Sequence, residues 1–280
     1  MTPSNGLYLT LEDIQKYAVI SDDVHACPTR VISLENSLNG LITPLSEIRR
    51  IADWARRHDI RMHCDGARLW EVVAAVNTNS NTGEQGPSLA DFAACFDTVS
   101  LCFSKGLGAP IGSILVGPAR TLRHARRVRK ALGGGLRQAG VVAAAARVAV
   151  DTTFGNGSRG EGNLLRASHE TARRVEAMWT APSPEGPEGK VAVPVQTNMV
   201  WLDLASAGIT PDRFEKLAAD HGLRIWGNRI ITHYQVGEEA LRRLTEVFAK
   251  VAAEKEAGGA AAKDGVDGAG AGTGPYGAKP

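Results

Sequence analysis

The sequence is poor in several features that mark specialised classes of protein. It has only 4 cysteines in 280 residues, without a Cys-x-x-Cys pair or a histidine spacing typical of zinc sites. This excludes a disulfide scaffold and predicts reduced thiols, no metal site and a cytoplasmic location. Aromatic residues make up 5% of the chain and the formal net charge is +2, so we expect no nucleic-acid partner.

Long hydrophobic runs are also missing. The longest apolar run, residues 139–150, is interrupted by Arg147. It is too short to cross a bilayer, which takes about 20 residues, so we expect no membrane partner. Residues 1–10 lack a basic stretch followed by an apolar core, which argues against a secretory signal.

One segment concentrates positive charge. Residues 120–137 contain seven Lys and Arg residues and no acid: Arg120, Arg123, Arg126, Arg127, Arg129, Lys130 and Arg137. A nucleic-acid patch is one interpretation, but the near-neutral chain favours a helix face that pairs with acids on another subunit. The three glycines at residues 133–135 follow this basic helix rather than a strand and lack the Gly-x-Gly-x-x-Gly spacing, which argues against a nicotinamide cofactor.

The apolar pattern predicts the fold class. Residues 44–57 repeat apolar side chains at helical spacing, and short strands are predicted at residues 60–64, 98–102 and 113–116. Strands that alternate with helices indicate an α/β domain, with a mostly parallel sheet flanked by helices on both faces. We assign residues 1–150 to this domain.

A second pattern begins after residue 150. Strands are predicted at residues 191–195, 199–203, 224–226 and 230–233, with helices at residues 161–179, 211–221 and 237–250. Residues 151–256 are therefore predicted to form a small C-terminal α+β domain. Residues 257–280 are rich in Gly and Ala and are predicted to be a disordered tail.

Two polar side chains follow predicted strands directly. Asp65 comes after the strand at residues 60–64, and Lys105 lies on a glycine-rich turn after the strand at residues 98–102. Ligands of parallel sheets gather at the carboxyl ends of the strands. A desolvated lysine there is a nucleophile toward an aldehyde, although Lys105 could instead be a solvated loop residue.

Asp65 also has two interpretations. It could cap the helix that follows, or its carboxylate could keep a pyridine nitrogen protonated. Since a carboxylate and a lysine on successive strand ends meet two needs of one cofactor, pyridoxal 5'-phosphate (PLP) is the leading candidate.

Three motifs carry a family resemblance. Residues 65–69 (DGARL), 104–113 (SKGLGAPIGS) and 129–140 (RKALGGGLRQAG) resemble the low-specificity L-threonine aldolases, which belong to the β-eliminating lyase group of fold-type-I PLP enzymes. The similarity extends to residues 23–25, 34–36 and 197–199.

The resemblance implies roles for residues around the cofactor. Lys105 matches the lysine that binds PLP covalently, and Asp65 matches the partner of the pyridine nitrogen. Arg68 matches an arginine near the cofactor hydroxyl and the substrate carboxylate.

Four further residues receive roles in the same way. Arg229 matches the arginine that binds the α-carboxylate, and His25 matches a histidine near the β-hydroxyl, the predicted catalytic base. Lys130 and Arg137 match basic residues near the phosphate or a subunit boundary. Taken alone, His25 could be a surface histidine and Arg229 a solvent-facing strand residue.

The implied reaction is cleavage of the Cα–Cβ bond of L-threonine or L-allo-threonine to glycine and acetaldehyde, in glycine biosynthesis, by a homo-oligomer (a dimer or tetramer). The family's N-terminal arm, its phosphate-binding Gly-Thr turn and its ring-stacking histidine have no counterpart here, so we expect that the N-terminal part is lacking. The alternative is a non-catalytic homologue that is an interaction partner of a full-length paralogue.

Overall fold

The computed structural model describes residues 1–78, 86–157, 159–160 and 162–261. The chain divides into two compact units, Met1–Arg166 and Ala167–Pro280. The domain boundary predicted at residue 150 therefore falls inside the first unit. The last helix continues to Ala261, so residues 257–261 of the predicted tail are helical, and the rest of that tail lies outside the described residues.

The first unit contains a four-stranded sheet in the order β1-β2-β3-β4. Its strands are β1 Val31–Glu35, β2 Arg61–Asp65, β3 Thr98–Cys102 and β4 Ser113–Val116. The first three are parallel and β4 is antiparallel to β3. The prediction of a mostly parallel sheet is confirmed, while β1 was not predicted.

Six helices and a π-helical turn belong to the described part of the first unit. They are α1 Leu11–Tyr17, α2 Leu45–Arg57, α3 Leu69–Thr78, α4 Leu89–Ala93, α5 Ala119–Ala131 and α6 Gly140–Ala149, followed by a π-helical turn, Val150–Phe154. Thr10 and Ser88 begin α1 and α4 with capping boxes, in which each side chain accepts from the backbone N–H three residues on. The next helix, α7 Asn163–Thr180, runs from the first unit into the second.

The core of the first unit lies on one face of the sheet. Alternate strand residues, Ile32, Leu34, Met62, Cys64 and Val99, are buried in one cluster with side chains of α2 and α3. The residues between them are exposed or half-buried. In the described residues, helices thus bury one face of the sheet, whereas the sequence predicted cover on both.

The second unit contains an antiparallel sheet in the order β5-β6-β7. Its elements are β5 Lys190–Val191, β6 Met199–Asp203, a 3-10 turn Ala205–Ala207, α8 Pro211–Asp220, β7 Arg229–Ile231 and α9 Glu238–Ala261. Its core is built around the aromatic side chains of Trp179, Phe214 and Phe248, which contact one another edge-on or stacked.

One predicted strand of this unit is wrong. Residues 224–226 form no strand, and Ile225 is half-buried against the core without sheet pairing. The apolar pattern there reflects packing rather than a ladder of hydrogen bonds.

No helix in the described part of the chain is long and apolar enough to span a bilayer.

Candidate active site

The carboxyl ends of three parallel strands form the candidate site. Glu35, the last residue of β1, is paired in register with Asp65, the last residue of β2, and Asp65 is paired with Ser100 of β3. The backbone N–H of Asn36 donates to the carbonyl of Asp65 at 3.1 Å, and that of Gly66 donates to the carbonyl of Ser100 at 2.9 Å. These bonds fix the three strand ends relative to one another.

Four charged side chains meet at this edge. The pKa of the Glu35 carboxyl lies above its ordinary value, first because the surrounding protein removes part of its hydration and second because the Asp65 carboxylate is near. The positive charges of Arg68 and Lys105 act on Glu35 in the opposite direction. The structure therefore places Asp65, Arg68 and Lys105, all predicted from motifs, within electrostatic reach of one carboxyl group.

Glu35 was not predicted as a site residue. Its motif was noted only as part of the family resemblance, and β1 was not recognised as a strand. The sequence offered the alternation of apolar Ile32 and Leu34 with polar Ser33 and Glu35, and the structure buries the two apolar side chains. That alternation places Glu35 at a strand end like Asp65.

Lys105 lies on a tight turn that is packed on its inner side. The turn is closed by the N–H of Gly108, which donates to the Lys105 carbonyl at 2.9 Å, and Gly108 has a positive φ of 77°. The N–H of Ala109 donates to the Phe103 carbonyl at 2.9 Å. Lys105 itself is exposed, so the turn holds its backbone while its amine stays accessible.

Asp65 retains one oxygen for a ligand. Its Oδ1 accepts from the N–H of Ala67 at 3.1 Å. In the described residues its Oδ2 accepts no hydrogen bond. Because α3 begins at Leu69, Asp65 stabilises the turn before the helix rather than capping the helix itself.

Two cysteines lie near the site and differ in chemistry. Burial raises the pKa of the Cys64 thiol to about 12, and the charges of Asp65 and Glu35 add to this effect. For Cys102 burial is again the largest influence and acts to raise the pKa. Hydrogen bonding with Ser104, whose Oγ lies 3.3 Å from the sulfur, and the charge of Lys105 outweigh it, so the pKa of Cys102 is lowered.

The structure does not connect three predicted residues to this cluster. His25 is exposed in the loop that enters β1 at its amino end, and its N–H donates to Asp23 Oδ1 at 2.9 Å. Lys130 is in the last turn of α5 with its side chain against Gly135, and Arg137 is exposed between α5 and α6. Within the described ranges, no hydrogen bond or ion pair joins any of the three to the strand-end cluster, so their roles stay predictions.

Arg229 belongs to the second unit. It opens β7 and pairs in register with Trp201 of β6. Its guanidinium carbon lies 5.6 Å from the centroid of the Trp201 ring, within the range of a cation–π interaction, and the side chain is exposed. A guanidinium group suits a carboxylate because it can donate two parallel hydrogen bonds to it.

The side chains at the strand ends fit PLP. An accessible amine on a rigid turn can bond to an aldehyde, a carboxylate oxygen without a protein donor can pair with a pyridine nitrogen, and Arg68 adds a positive charge nearby. A metal centre has no comparable support, because the described residues contain no group of three or more His, Cys, Asp or Glu side chains placed to hold an ion.

Comparison with solved structures identifies the class of fold. The chain is similar to a threonine aldolase from Leishmania major, with a TM-score of 0.67, 17% identity and coverage of 88% of this chain and 68% of that one. It is also similar to an aromatic aminotransferase from Pyrococcus horikoshii, with a TM-score of 0.59, 15% identity and coverage of 89% and 64%. The fold is that of the fold-type-I PLP enzymes, as predicted.

The family follows from the sequence. The profile described as Beta-eliminating lyase matches residues 1–206, so the chain belongs to the β-eliminating lyase family. Enzymes of this family depend on PLP. The predicted family, fold class and cofactor are therefore confirmed.

Individual relatives differ in their named activities. Aldolase vrtJ from Penicillium aethiopicum is 48% identical over 90% of this chain and 60% of its own length. Alanine racemase TOXG from Cochliobolus carbonum is 41% identical over 88% and 60%. A low-specificity L-threonine aldolase from Eremothecium gossypii is 40% identical over 88% and 59%. The chain thus spans about three-fifths of the length of these relatives.

Proposed function

We propose that this chain is a PLP-dependent lyase that cleaves the Cα–Cβ bond of a β-hydroxy amino acid, with Lys105 as its cofactor-binding lysine. The substrate class is L-threonine or L-allo-threonine, and the products are glycine and acetaldehyde. The observation that carries the proposal is the cluster of Asp65, Arg68 and Lys105 at adjacent ends of parallel strands. The similarity to low-specificity L-threonine aldolases supports the choice of reaction.

Each residue has a defined task in this proposal. The Lys105 amine would hold the cofactor through its aldehyde group, and the Asp65 carboxylate would pair with the ring nitrogen. When bound, PLP supplies the electron sink for carbanion chemistry at the substrate α-carbon. Arg68 contributes positive charge near the substrate carboxylate and the cofactor hydroxyl.

The remaining residues act on the substrate and the phosphate. Arg229 binds the α-carboxylate through its planar guanidinium, which the Trp201 ring orients. His25 takes the proton of the β-hydroxyl group, the step that releases the aldehyde. Lys130 and Arg137 offer positive charge to the phosphate.

A racemase is a second candidate, favoured by the 41% identity with alanine racemase TOXG. Racemisation needs removal and return of the α-proton without breakage of the Cα–Cβ bond. The two reactions therefore separate cleanly by product, since threonine gives glycine in one case and L-alanine gives D-alanine in the other.

We also propose that the protein is a cytoplasmic homo-oligomer. The helix α5 buries none of its residues in the single chain and carries an exposed Val128, while Leu132 just beyond it is 82% exposed. A contact between copies would cover these side chains. The change Leu132→Glu is expected to lower the mass measured by sedimentation. An unchanged mass would argue against this face as the contact.

The reaction is tested with the 280-residue chain and added PLP. We expect an absorption band of the lysine-bound cofactor in the wild type and in Lys16→Ala, a surface control, and none in Lys105→Ala. Amino-acid products from threonine, allo-threonine and L-alanine are then measured. Cofactor binding without any product from these substrates would favour the non-catalytic alternative.

A further inference from the structure

We propose that Glu35 is a second carboxylate of the cofactor site, which acts with Asp65 as a pair on the positively charged ring nitrogen. The inference deepens the proposed function and rests on it for the identity of the ligand. The pairing of the two carboxylates stands on the geometry of the strand ends alone.

The two residues are held side by side by the backbone. Glu35 and Asp65 are register partners on parallel strands, whose spacing is about 4.8 Å. Residues in register project from the same face, and here that is the face opposite to the buried Leu34 and Cys64. Both carboxylates therefore leave the sheet at the same level and in the same direction.

The chain after Glu35 is fixed as well. The N–H of Asn36 donates to the Asp65 carbonyl at 3.1 Å, and the Asn36 side chain is buried, at 1% exposure. Its Nδ2 donates to the Thr43 carbonyl at 3.2 Å, and its Oδ1 accepts from the Thr43 N–H at 3.1 Å. This clamp fixes the backbone position of Glu35 relative to Asp65 before a ligand arrives, which lowers the cost of binding.

Both carboxylates keep oxygen atoms that accept no hydrogen bond from the described residues. The Glu35 carboxylate accepts no hydrogen bond from the described residues, and the Asp65 carboxylate accepts only one, from the Ala67 N–H to Oδ1. Two adjacent carboxylates repel each other, so they gain most from a cation placed between them. A protonated ring nitrogen is a cation of this kind, and its N–H gives it one hydrogen bond to donate.

Two basic side chains of the described residues act on Glu35. Burial and then the charge of Asp65 raise the pKa of Glu35, and the charges of Arg68, which precedes α3, and Lys105, which follows β3, partly oppose this. Burial is the main cause of the raised pKa of the Cys64 thiol, on the opposite face of β2, and the charges of Asp65 and Glu35 add to it. The register of the two strand ends therefore places both carboxylates at one position on the sheet edge.

The experiment follows the titration of Glu35 by carbon-13 NMR of labelled glutamate side chains, assigned with Glu35→Gln. Without cofactor we expect the midpoint of Glu35 to fall in Asp65→Asn and to rise in Lys105→Ala. It should not move in Asp53→Asn, which removes a distant surface carboxylate. The opposite signs of the first two shifts exclude a general loss of structure. An unchanged midpoint of Glu35 in both variants would contradict the proposal that Glu35 and Asp65 act as a pair.

The second arm adds PLP and keeps the two proposals separable. We expect PLP to lower the Glu35 midpoint, and Glu35→Gln to weaken PLP binding about two- to fivefold, the effect of one partly exposed charge pair, with no change in Asp53→Asn. If the wild type binds PLP while Glu35 neither shifts nor affects affinity, the role of Glu35 is overturned and the proposed function stands. If the wild type binds no PLP, the proposed function and the ligand of the pair both fail.

Discussion

Gly106 lies directly against the buried carboxylate of Glu71. A Cβ atom at Gly106 would overlap Glu71 Oε1 and would approach Leu165 Cδ2 to 3.2 Å. Glu71 is only 2% exposed, so its side chain cannot move away into solvent. A side chain at the residue after Lys105 therefore requires Glu71 to shift, and α3 supports the turn that carries the lysine.

The change Gly106→Ala is expected to lower the free energy of unfolding by about 1–3 kcal/mol, because it overpacks a closed site. It should also weaken PLP binding, since the Lys105 backbone has to shift. The matched control is Gly140→Ala, where nothing lies within 4 Å of the added methyl group. Denaturant unfolding of both variants checks this, and equal effects would contradict the close contact.

The double variant Glu71→Ala/Gly106→Ala isolates the contact. Removal of the Glu71 carboxylate makes room for the new methyl group, so Gly106→Ala should cost less in this background than in the wild type. The expected coupling energy is about 1 kcal/mol or more. A coupling energy near zero would place the strain elsewhere.

The cysteines near the site should react at very different rates. The pKa of Cys64 is raised to about 12 and its side chain is buried, whereas the pKa of the half-buried Cys102 is lowered. At pH 8 we expect alkylation of Cys102 to be more than about a hundredfold faster than that of Cys64. Mass spectrometry of peptides measures both rates in one sample, with exposed Cys27 as a reference, and Cys64 should react only after unfolding.

The raised pKa of Glu35 predicts how stability depends on pH. A carboxyl whose pKa is higher in the folded state than its ordinary value of 4.5 contributes stability that is complete below pH 4.5 and is lost as the pH rises through the raised value. The glutamine side chain of Glu35→Gln does not ionise, so the variant does not lose stability in this way as the pH rises. The variant should therefore gain stability relative to the wild type between pH 4 and pH 7, as measured by denaturant unfolding. A difference independent of pH would contradict it.

The change Arg229→Lys tests the stacked guanidinium of the second unit. Lysine keeps the positive charge but loses the planar fork and its packing on Trp201. In an active preparation we expect KM for the amino acid to rise about tenfold with a smaller change in kcat, the pattern of lost substrate binding. An unchanged KM in this variant would show that Arg229 does not bind the substrate.

The sequence could predict the parts of the fold that repeat a simple period. The helix α2 was predicted almost to its ends because Ile48, Ile51 and Ala55 mark one buried face. The strand β1 was not predicted because only residues 34–36 were considered there, as part of the family resemblance, although the alternation in Val31–Glu35 is typical of a strand. Residues 224–226 were assigned to a strand because an apolar side chain that packs against a core gives the same pattern as one that pairs.

The candidate site was predictable only in part for a related reason. Asp65, Arg68 and Lys105 lie in motifs that together carry the family resemblance, although neither Asp65 nor Lys105 is specific on its own. Glu35 becomes a site residue only through its register with Asp65, a relationship between strands that are far apart in sequence. The contact between Gly106 and Glu71 is likewise set by packing, which no local pattern encodes.

The most direct test of the account is to locate the covalent bond to PLP. The chain is incubated with PLP, reduced with borohydride and digested, and the modified lysines are identified by mass spectrometry. We predict that Lys105 is modified at a PLP concentration at which the exposed Lys16 is not, and that Lys105→Ala abolishes the specific adduct. Equal labelling of surface lysines with no preference for Lys105 would contradict the account.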